Sequence, residues 1–286
     1  MSRHLSLPIF VICLACADAG VAPAQPPGNE KIVQAIEKGG CTAAESTPVK
    51  ICRYDYTAAG RQVEALSFQP AGQGPFPAVL MIPGHQRTAR DLIALGVRLA
   101  GEGFAGVAVT QPGYGKSQGP ADFVGPTTIQ VLTAGYRKFQ REPFVDARRM
   151  GIYGYSRGAM AASLLAVQLD DVKAAVFGAG VYDFKKAYDE TPLAGIRQNM
   201  ETETGMTAVA IRQRSSILEM EKLKCPVLIL HGEKDGNVPV SQALELRDRL
   251  TALGKEFEIK LFPDREHGIG PEVSTLTVDF FRRKLK

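Results

Sequence analysis

The chain has 286 residues, of which 45% are hydrophobic and 22% are charged, with a formal net charge of +4. This length and composition predict one large globular domain, and the length is rather short for two. The longest basic run, residues 282–284, lies at the end of a predicted terminal helix. The sequence therefore gives no support for binding to nucleic acid or to an anionic membrane.

The first 24 residues are predicted to be a signal peptide. A short basic start is followed by an apolar stretch over residues 5–17, which is too short for an ordinary membrane span, and then by small residues. Cleavage is expected after Ala24. The sequence before Cys16 also resembles part of a bacterial lipobox, so a lipid anchor on Cys16 is the alternative. Both interpretations predict an exported protein, periplasmic or secreted, with membrane association only if Cys16 is lipidated.

Export determines how the cysteines are interpreted. Cys41 and Cys52 are close in sequence, and in an oxidising compartment they are expected to form a disulfide. Cys225, at the start of a predicted buried strand, is expected to be an inert thiol. The sequence has no Cys-x-x-Cys and no His-Glu-x-x-His, so we expect neither a metal nor another cofactor.

Strands and helices alternate along most of the chain. A helix over residues 29–38 precedes a predicted hairpin formed by residues 50–56 and 61–69. Apolar strands are then predicted at residues 78–82, 104–109, 149–153, 174–177, 227–231 and 257–262. Helices are predicted at residues 89–99, 127–139, 159–167, 240–253 and 272–284. This pattern predicts an α/β fold with a mostly parallel sheet that helices cover on both faces.

One stretch interrupts the alternation. Residues 183–224 separate two strands and are far longer than a usual crossover, which predicts a cap-like insertion over the functional site. The alternative is a set of helices packed elsewhere on the edge of the sheet. The predicted organisation is a signal peptide over 1–24, an N-terminal extension over 25–60, and a main domain over 61–286 that contains the insertion.

The motif Gly-x-Ser-x-Gly occurs as GYSRG at residues 154–158. It lies between the predicted strand 149–153 and the predicted helix 159–167, where it is typical of a nucleophile elbow that raises the serine hydroxyl above a sheet. The glycines are needed because strand and helix nearly touch and leave no room for side chains. Ser156 is therefore the candidate nucleophile.

A serine hydroxyl needs a general base, and imidazole is the usual one. The chain has four histidines: His4, His85, His231 and His267. His267 lies between the last predicted strand and the last predicted helix, which makes it the candidate base, whereas His231 ends a strand and is expected to be structural. Asp235, which follows that strand, is the candidate acid, and Asp183 is its rival because it follows the strand at residues 174–177.

The oxyanion of an acyl-transfer reaction requires backbone N–H donors. Arg157, directly after the serine, is expected to supply one from the start of a helix, with its side chain as a scaffold contact. The second donor is expected from the loop after the strand at residues 78–82. His85 is the candidate in that loop, with a ring that can also meet substrate, and Gln86 is the neighbouring alternative.

Five motifs in the region of about residues 60–286 carry a resemblance to a known family. They are PGH at 83–85, QPGYGKS at 111–117, GYSRG at 154–158, LHGEKD at 230–235 and EHG at 266–268. Together they resemble the dienelactone-hydrolase-like and prolyl-oligopeptidase-like branch of the α/β hydrolases. The resemblance implies the α/β-hydrolase fold with Ser156 as nucleophile, Asp235 as acid and His267 as base.

The sequence departs from both named groups. Dienelactone hydrolases proper have a cysteine at the position of Ser156, so lactone chemistry does not carry over. Prolyl oligopeptidases have a large propeller domain that this sequence does not contain, so their peptide specificity does not carry over either. The expected activity is hydrolysis of a small-molecule carboxylic ester through an acyl-enzyme. The alternatives are a small peptidase or amidase acting on a short peptide, and an inactive hydrolase fold that only binds.

Overall fold

The computed structural model of the protein describes residues 29–44 and 47–286. The predicted signal peptide and the alternative lipid anchor at Cys16 lie outside the described residues. The strands are β1 Cys41–Ala44, β2 Thr47–Arg53, β3 Tyr56–Ala58, β4 Arg61–Val63, β5 Ala65–Gln69, β6 Phe76–Ile82, β7 Ala105–Val109, β8 Val145–Tyr155, β9 Ala174–Gly178, β10 Val227–Gly232 and β11 Phe257–Phe262.

The helices lie before β1, between strands from β6 to β11, and after β11. They are α1 Asn29–Gly39, α2 Ile93–Gly101, α3 Pro126–Gln140, α4 Arg157–Gln168, α5 Phe184–Glu190, α6 Ala194–Thr204, α7 Ala208–Arg214, α8 Ser241–Ala252 and α9 Glu272–Leu285. Among residues 29–44 and 47–286, two 3-10 helices, Ala89–Leu92 and Ser216–Lys222, precede α2 and β10. In the described part of the chain, no helix is long and apolar enough to cross a membrane.

The main sheet has the strand order β1-β2-β5-β7-β6-β8-β9-β10-β11, and β3 and β4 form a separate pair. The pairs from β1 to β7 are antiparallel, and those from β7 to β11 are parallel. Parallel strands joined by crossover helices present their carboxyl ends at one edge of the sheet, where the loops that carry function collect. The predicted α/β architecture is confirmed.

Both faces of the sheet are covered, as the near-continuous apolar strands predict. In β6, the side chains of Leu80 and Ile82 pack in the core formed with α3, α4 and α8. Val79 and Met81, which alternate with them, pack in the core formed with α1, α2 and α9. A strand buried on both faces is held rigidly, and it therefore fixes the position of the loop that follows it.

The N-terminal strands differ in detail from the prediction. β1 is not predicted from the sequence, because its four residues are too few for an alternating pattern to be recognised. It pairs with β2 in a register that places Cys41 opposite Cys52, and these two residues form a disulfide. The predicted hairpin is present but interrupted, since β2 pairs with β5 in the main sheet while β3 and β4 form its tip.

The stretch between β9 and β10 contains α5, α6, α7 and the second 3-10 helix. Met200 and Met220 from this stretch are buried in the same core as α4, and Ser163 Oγ of α4 lies 2.8 Å from Ser216 Oγ. At its other side, α6 extends Glu203 to Arg157 at the start of α4. The stretch thus packs along α4 and reaches the carboxyl edge of the sheet.

Candidate active site

Ser156 lies between the end of β8 and the start of α4. Its backbone has φ 55° and ψ −124°, a conformation that residues other than glycine rarely adopt. Backbone strain of this kind persists only where the surrounding structure enforces it, and it is typical of a nucleophile elbow. The predicted turn is present at the predicted serine.

The two glycines that flank Ser156 are required by close backbone contacts. A Cβ atom on Gly154 would lie 2.1 Å from the carbonyl oxygen of Gly158. A Cβ atom on Gly158 would lie 2.1 Å from the carbonyl oxygen of Ile82 at the end of β6. Real Cβ atoms do not approach backbone atoms so closely, so the predicted reason for both glycines is confirmed.

His267, on the loop between β11 and α9, joins Ser156 to Asp235. Its Nε2 lies 2.8 Å from Ser156 Oγ, and its Nδ1 lies 2.7 Å from Asp235 Oδ2. In a ring with its hydrogen on Nδ1, Nδ1 donates to the carboxylate while Nε2 accepts from the hydroxyl. The structure therefore brings the three residues proposed from the sequence into one hydrogen-bonded chain.

Asp235 is fixed by its own loop. Its side chain is fully buried, and its Oδ1 accepts hydrogen bonds of 2.9 Å from the backbone N–H groups of both Asn237 and Val238. Burial alone would raise the pKa of Asp235, but hydrogen bonds from His231 and His267 hold that pKa well below its usual range. The carboxylate thus stays ionised beside His267.

His231 and Asp183 have other positions. The buried His231 ring places Nε2 2.9 Å from Val238 O and 3.4 Å from Asp235 Oδ2, so it supports the loop that carries the carboxylate. The Asp183 side chain accepts a 3.0 Å hydrogen bond from the backbone N–H of Lys186 and caps the start of α5. The geometry therefore favours Asp235 over Asp183 as the partner of His267.

The loop that carries His267 is held by two contacts. A Cβ atom on Gly232 would lie 2.4 Å from the carbonyl oxygens of Arg265 and Glu266, so only glycine allows the end of β10 to approach this loop. The Tyr155 hydroxyl, next to Ser156, donates to the carbonyl oxygen of His267 and accepts from the backbone N–H of Ile269 at 3.2 Å. Burial raises the pKa of Tyr155 to about 12, which keeps this hydroxyl protonated.

The two predicted oxyanion donors belong to elements that border Ser156. Arg157 begins α4, so its backbone N–H is among those that have no acceptor within the helix. On the other side, a Cβ atom on Gly84 would lie 3.3 Å from Ser156 Cβ and 3.8 Å from Ser156 Oγ. The loop after β6, which contains His85 and Gln86, thus passes directly beside the serine.

Among residues 29–44 and 47–286, no group of three or more His, Cys, Asp or Glu side chains could hold a metal ion. Burial raises the pKa of the Cys225 thiol to about 12, which disfavours the reactive thiolate. The hydrogen-bonded chain of Ser156, His267 and Asp235 is the arrangement that acyl transfer to a serine uses.

Residues 124–286 match the domain Peptidase_S9, described as the prolyl oligopeptidase family. The chain belongs to this family. The predicted resemblance to prolyl-oligopeptidase-like α/β hydrolases is thereby confirmed, and the protein is a serine hydrolase.

Curated relatives of the chain differ in length. The chain is 27% identical over 234 residues to "Uncharacterized peptidase YtmA" of Bacillus subtilis, covering 79% of this chain and 90% of that protein. It is 26% identical over 211 residues to "Uncharacterized peptidase YuxL" of the same organism and covers 32% of that protein. It is 27% identical over 170 residues to dipeptidyl-peptidase 5 of Porphyromonas endodontalis, where 55% of this chain matches 24% of that protein.

Solved structures show the same fold at lower identity. Acylaminoacyl peptidase of Pyrococcus horikoshii superposes with a TM-score of 0.73 at 21% identity, covering 85% of this chain and 43% of that one. Acetyl xylan esterase from Paenibacillus sp. R4 superposes with a TM-score of 0.72 at 16% identity, covering 90% of this chain and 93% of that one. The predicted α/β-hydrolase fold is therefore confirmed.

Sequence reasoning missed a cluster of side chains around Arg157. Its guanidinium forms hydrogen bonds of 2.8 and 3.1 Å with the Glu203 carboxylate of α6, and it donates to the Tyr114 hydroxyl. It also lies 3.9 Å from the centre of the Phe123 ring, in a cation–π contact. These partners come from separate parts of the chain, so no local motif identifies them.

The turn before α3 is strained beside this cluster. Phe123 and Val124 have φ values of 44° and 59°, which is unusual for any residue but glycine and especially for the β-branched Val124. Glu203 accepts from the backbone N–H of Phe123 at 2.7 Å, and the Arg214 guanidinium donates to the Phe123 carbonyl oxygen at 3.0 Å. Residues from the stretch between β9 and β10 thus hold the strained turn against Arg157.

Proposed function

We propose that Ser156 is the nucleophile of an acyl-transfer reaction, with His267 as general base and Asp235 as the acid that orients it. The observation that carries the proposal is the hydrogen-bonded chain from Ser156 Oγ through the His267 ring to the ionised Asp235. Each of the three residues lies just beyond a strand at the same edge of the sheet.

In the proposed reaction, Ser156 Oγ attacks the carbonyl carbon of the substrate while its proton moves to His267 Nε2. The resulting oxyanion is stabilised by the backbone N–H of Arg157 and by that of His85 in the loop after β6. The carbonyl re-forms when the leaving group departs with the proton from His267. Water, deprotonated by His267, then cleaves the acyl-enzyme and releases the acid and free Ser156.

For the substrate we propose a peptide or other acyl–amide bond in a small molecule or short peptide. Support comes from the family itself and from the similarity to YtmA, a protein described as a peptidase and matched over 90% of its length. A carboxylic ester is the second candidate, because the chain spans 93% of an acetyl xylan esterase with the same fold. The triad geometry is compatible with both leaving groups, so the choice is made by comparing substrates.

The test is a pair of substrates with one acyl group, N-acetyl-alanine p-nitroanilide and N-acetyl-alanine p-nitrophenyl ester, followed by a panel in which the acyl group varies. A peptidase or amidase should turn over both members, since an amide is the harder bond to cleave. Hydrolysis of esters alone across the panel would contradict the amide proposal and support the ester. A fluorophosphonate probe that labels a residue other than Ser156 would contradict the assignment of the nucleophile.

Export is the second part of the proposal. The Cys41–Cys52 disulfide supports an oxidising compartment, outside the cytoplasm. Intact mass spectrometry of protein from the native host should show a chain that begins near Gln25 and gains two hydrogens on reduction. A diacylglycerol-sized mass increment on Cys16 would select the lipoprotein, and an intact Met1 would contradict the signal peptide.

We also propose that residues 183–224 cap the active site.

A further inference from the structure

The Tyr114 hydroxyl connects the loop after β6 to Arg157. Tyr114 Oη lies 2.9 Å from Nδ1 of His85, and it also accepts a hydrogen bond from Nη1 of Arg157. The two rings meet edge to face, with their centres 5.7 Å apart. One hydroxyl thus contacts a side chain of the proposed oxyanion loop and the residue that follows the proposed nucleophile.

The direction of the hydrogen bond between Arg157 and Tyr114 follows from the chemistry of the two groups. A guanidinium can only donate, so the Tyr114 oxygen is the acceptor from Arg157. The hydroxyl keeps its own hydrogen, which it can donate to His85 Nδ1. An imidazole whose Nδ1 accepts carries its hydrogen on Nε2 when it is neutral. In the described residues, Nε2 of His85 has no hydrogen-bond partner, and the ring is partly exposed.

The chain extends from Arg157 to the insertion. Glu203 of α6 binds Arg157 through both carboxylate oxygens, and the two side chains are only 13% and 5% exposed. A planar, two-point ion pair fixes the direction of the guanidinium, which a single point charge would not do. Because Glu203 also binds the backbone N–H of Phe123, its own position is set from two sides.

The electrostatic surroundings favour a neutral His85. Burial, together with the positive charge of Arg157, lowers the pKa of His85 to about 4, although Glu203 acts in the opposite direction. The charged groups that face this ring are thus Arg157 and Glu203, and Tyr114 is the uncharged titratable one. At neutral pH the ring is therefore uncharged, and it belongs to the loop in which a Cβ atom on the adjacent Gly84 would lie 3.3 Å from Ser156 Cβ.

We propose that Glu203, Arg157 and Tyr114 form a positioning chain that fixes His85 with its hydrogen on Nε2 and holds the oxyanion loop against Ser156. The insertion between β9 and β10 thereby controls the rate of acylation without touching the reacting atoms. This inference rests on the proposed function, because it assigns a purpose to the same site.

The first test reads the tautomer and needs no activity. Long-range ¹H–¹⁵N correlation spectra of histidine-labelled protein at neutral pH distinguish the two neutral tautomers, and the His85 signals are assigned by their loss in His85→Gln. We expect His85 to carry its hydrogen on Nε2 in the wild type, and this preference to be lost in Tyr114→Phe. A wild-type ring with its hydrogen on Nδ1, or a tautomer unchanged by Tyr114→Phe, would overturn the inference.

The second test measures the rate at which a fluorophosphonate labels Ser156, because the phosphonyl oxygen occupies the oxyanion site whatever the natural substrate is. Tyr114→Phe and Glu203→Gln should each slow labelling about tenfold, less than the hundredfold that a displacement of about 1 Å can cost. The matched controls are Tyr188→Phe and Glu201→Gln, which separate an exposed hydrogen-bonded pair on the same insertion. The controls should label at the wild-type rate.

A double variant separates positioning from general loosening. If the three side chains act as one chain, Tyr114→Phe combined with Glu203→Gln should be no slower than about the slower single variant, because the chain is already broken. The inference would be overturned if the two single effects on the labelling rate multiplied in the double variant. It would also be overturned if the control variants were labelled as slowly as Tyr114→Phe and Glu203→Gln. A variant that does not fold is replaced by the more conservative Glu203→Asp, which should recover part of the rate if charge pairing matters. Wild-type protein that is not labelled at all would instead contradict the proposed function, while the spectra still decide the state of His85.

Discussion

The side of the site that contains Asp235 is held largely by backbone groups of its own loop, whereas the side that contains His85 and Arg157 is held by charged and polar side chains from distant segments. Asp235 is bound by the N–H groups of residues two and three positions further along the chain. Arg157, in contrast, is bound by Glu203, which lies 46 positions away.

This difference has a physical consequence. Backbone amides within one short loop are close together in any folded state that contains that loop, so the two hydrogen bonds from Asn237 and Val238 to Asp235 need no distant segment. A buried ion pair requires both partners, and removing one leaves an uncompensated charge. The side with His85 and Arg157 therefore depends on the insertion, and it is the side where a distant change can alter the reaction.

The largest effect is expected from Ser156 and His267 themselves, which do not depend on the ion pair with the insertion. Ser156→Ala or His267→Ala should lower kcat about 10⁴- to 10⁶-fold, because removal of either residue ends nucleophilic attack. Steady-state turnover of the best substrate in the panel is the measurement, with circular dichroism to confirm the fold. A His267→Ala variant that retains activity within about tenfold of the wild type would contradict the role of His267 as the base.

The choice between the two candidate acids is tested by a matched pair. Asp235→Asn should reduce kcat about 10⁴-fold, because the amide no longer stabilises the correct tautomer and charge of His267. Asp183→Asn should leave kcat nearly unchanged, since asparagine caps a helix as well as aspartate does. A greater loss of turnover in the Asp183 variant would show that the pairing with Asp235 is not the functional one.

Glycines in the elbow and in the insertion should differ in how much a change to alanine alters stability. Gly158→Ala should lower the free energy of unfolding by about 3 kcal/mol, because its Cβ would collide with the backbone of Ile82. Gly195→Ala in α6, where a Cβ would meet nothing within 4 Å, should raise stability by up to about 1 kcal/mol. Urea unfolding measures both, and equal destabilisation would show that the elbow is no more closely packed than the insertion.

The smallest loss of stability is expected from removal of the disulfide, which lies far from the site. Cys41 and Cys52 join β1 to β2 at one edge of the sheet, on the antiparallel side away from β8, β10 and β11. Replacing both with serine should lower the free energy of unfolding by about 2.8 kcal/mol, the value for closing a loop of this length. Because the catalytic loops are elsewhere, kcat at a temperature where the variant is folded should not change. A parallel loss of kcat would connect this edge to the site.

Much of the architecture is predictable from local pattern. The apolar strands, the helices between them and the GYSRG turn are each recognisable within about ten residues, because burial and backbone strain act locally on residue type. β1 and the separation of β3 and β4 from the main sheet were not predicted. Their few residues carry too little pattern, and their pairing depends on partners elsewhere in the chain.

By itself, the sequence determined the candidates Ser156, Asp235 and His267, since each follows a strand whose pattern is unmistakable and parallel strands end at one edge. Only the tertiary structure decided that Asp235, rather than Asp183, lies beside His267, and that Glu203, Arg157 and Tyr114 meet next to His85. The physical reason is that side-chain hydrogen bonds and ion pairs form within about 3 Å. No separation along a chain predicts such a distance. The pairing of β10 with β11 brings Asp235 near His267, and the packing of the insertion against α4 brings Glu203 to Arg157.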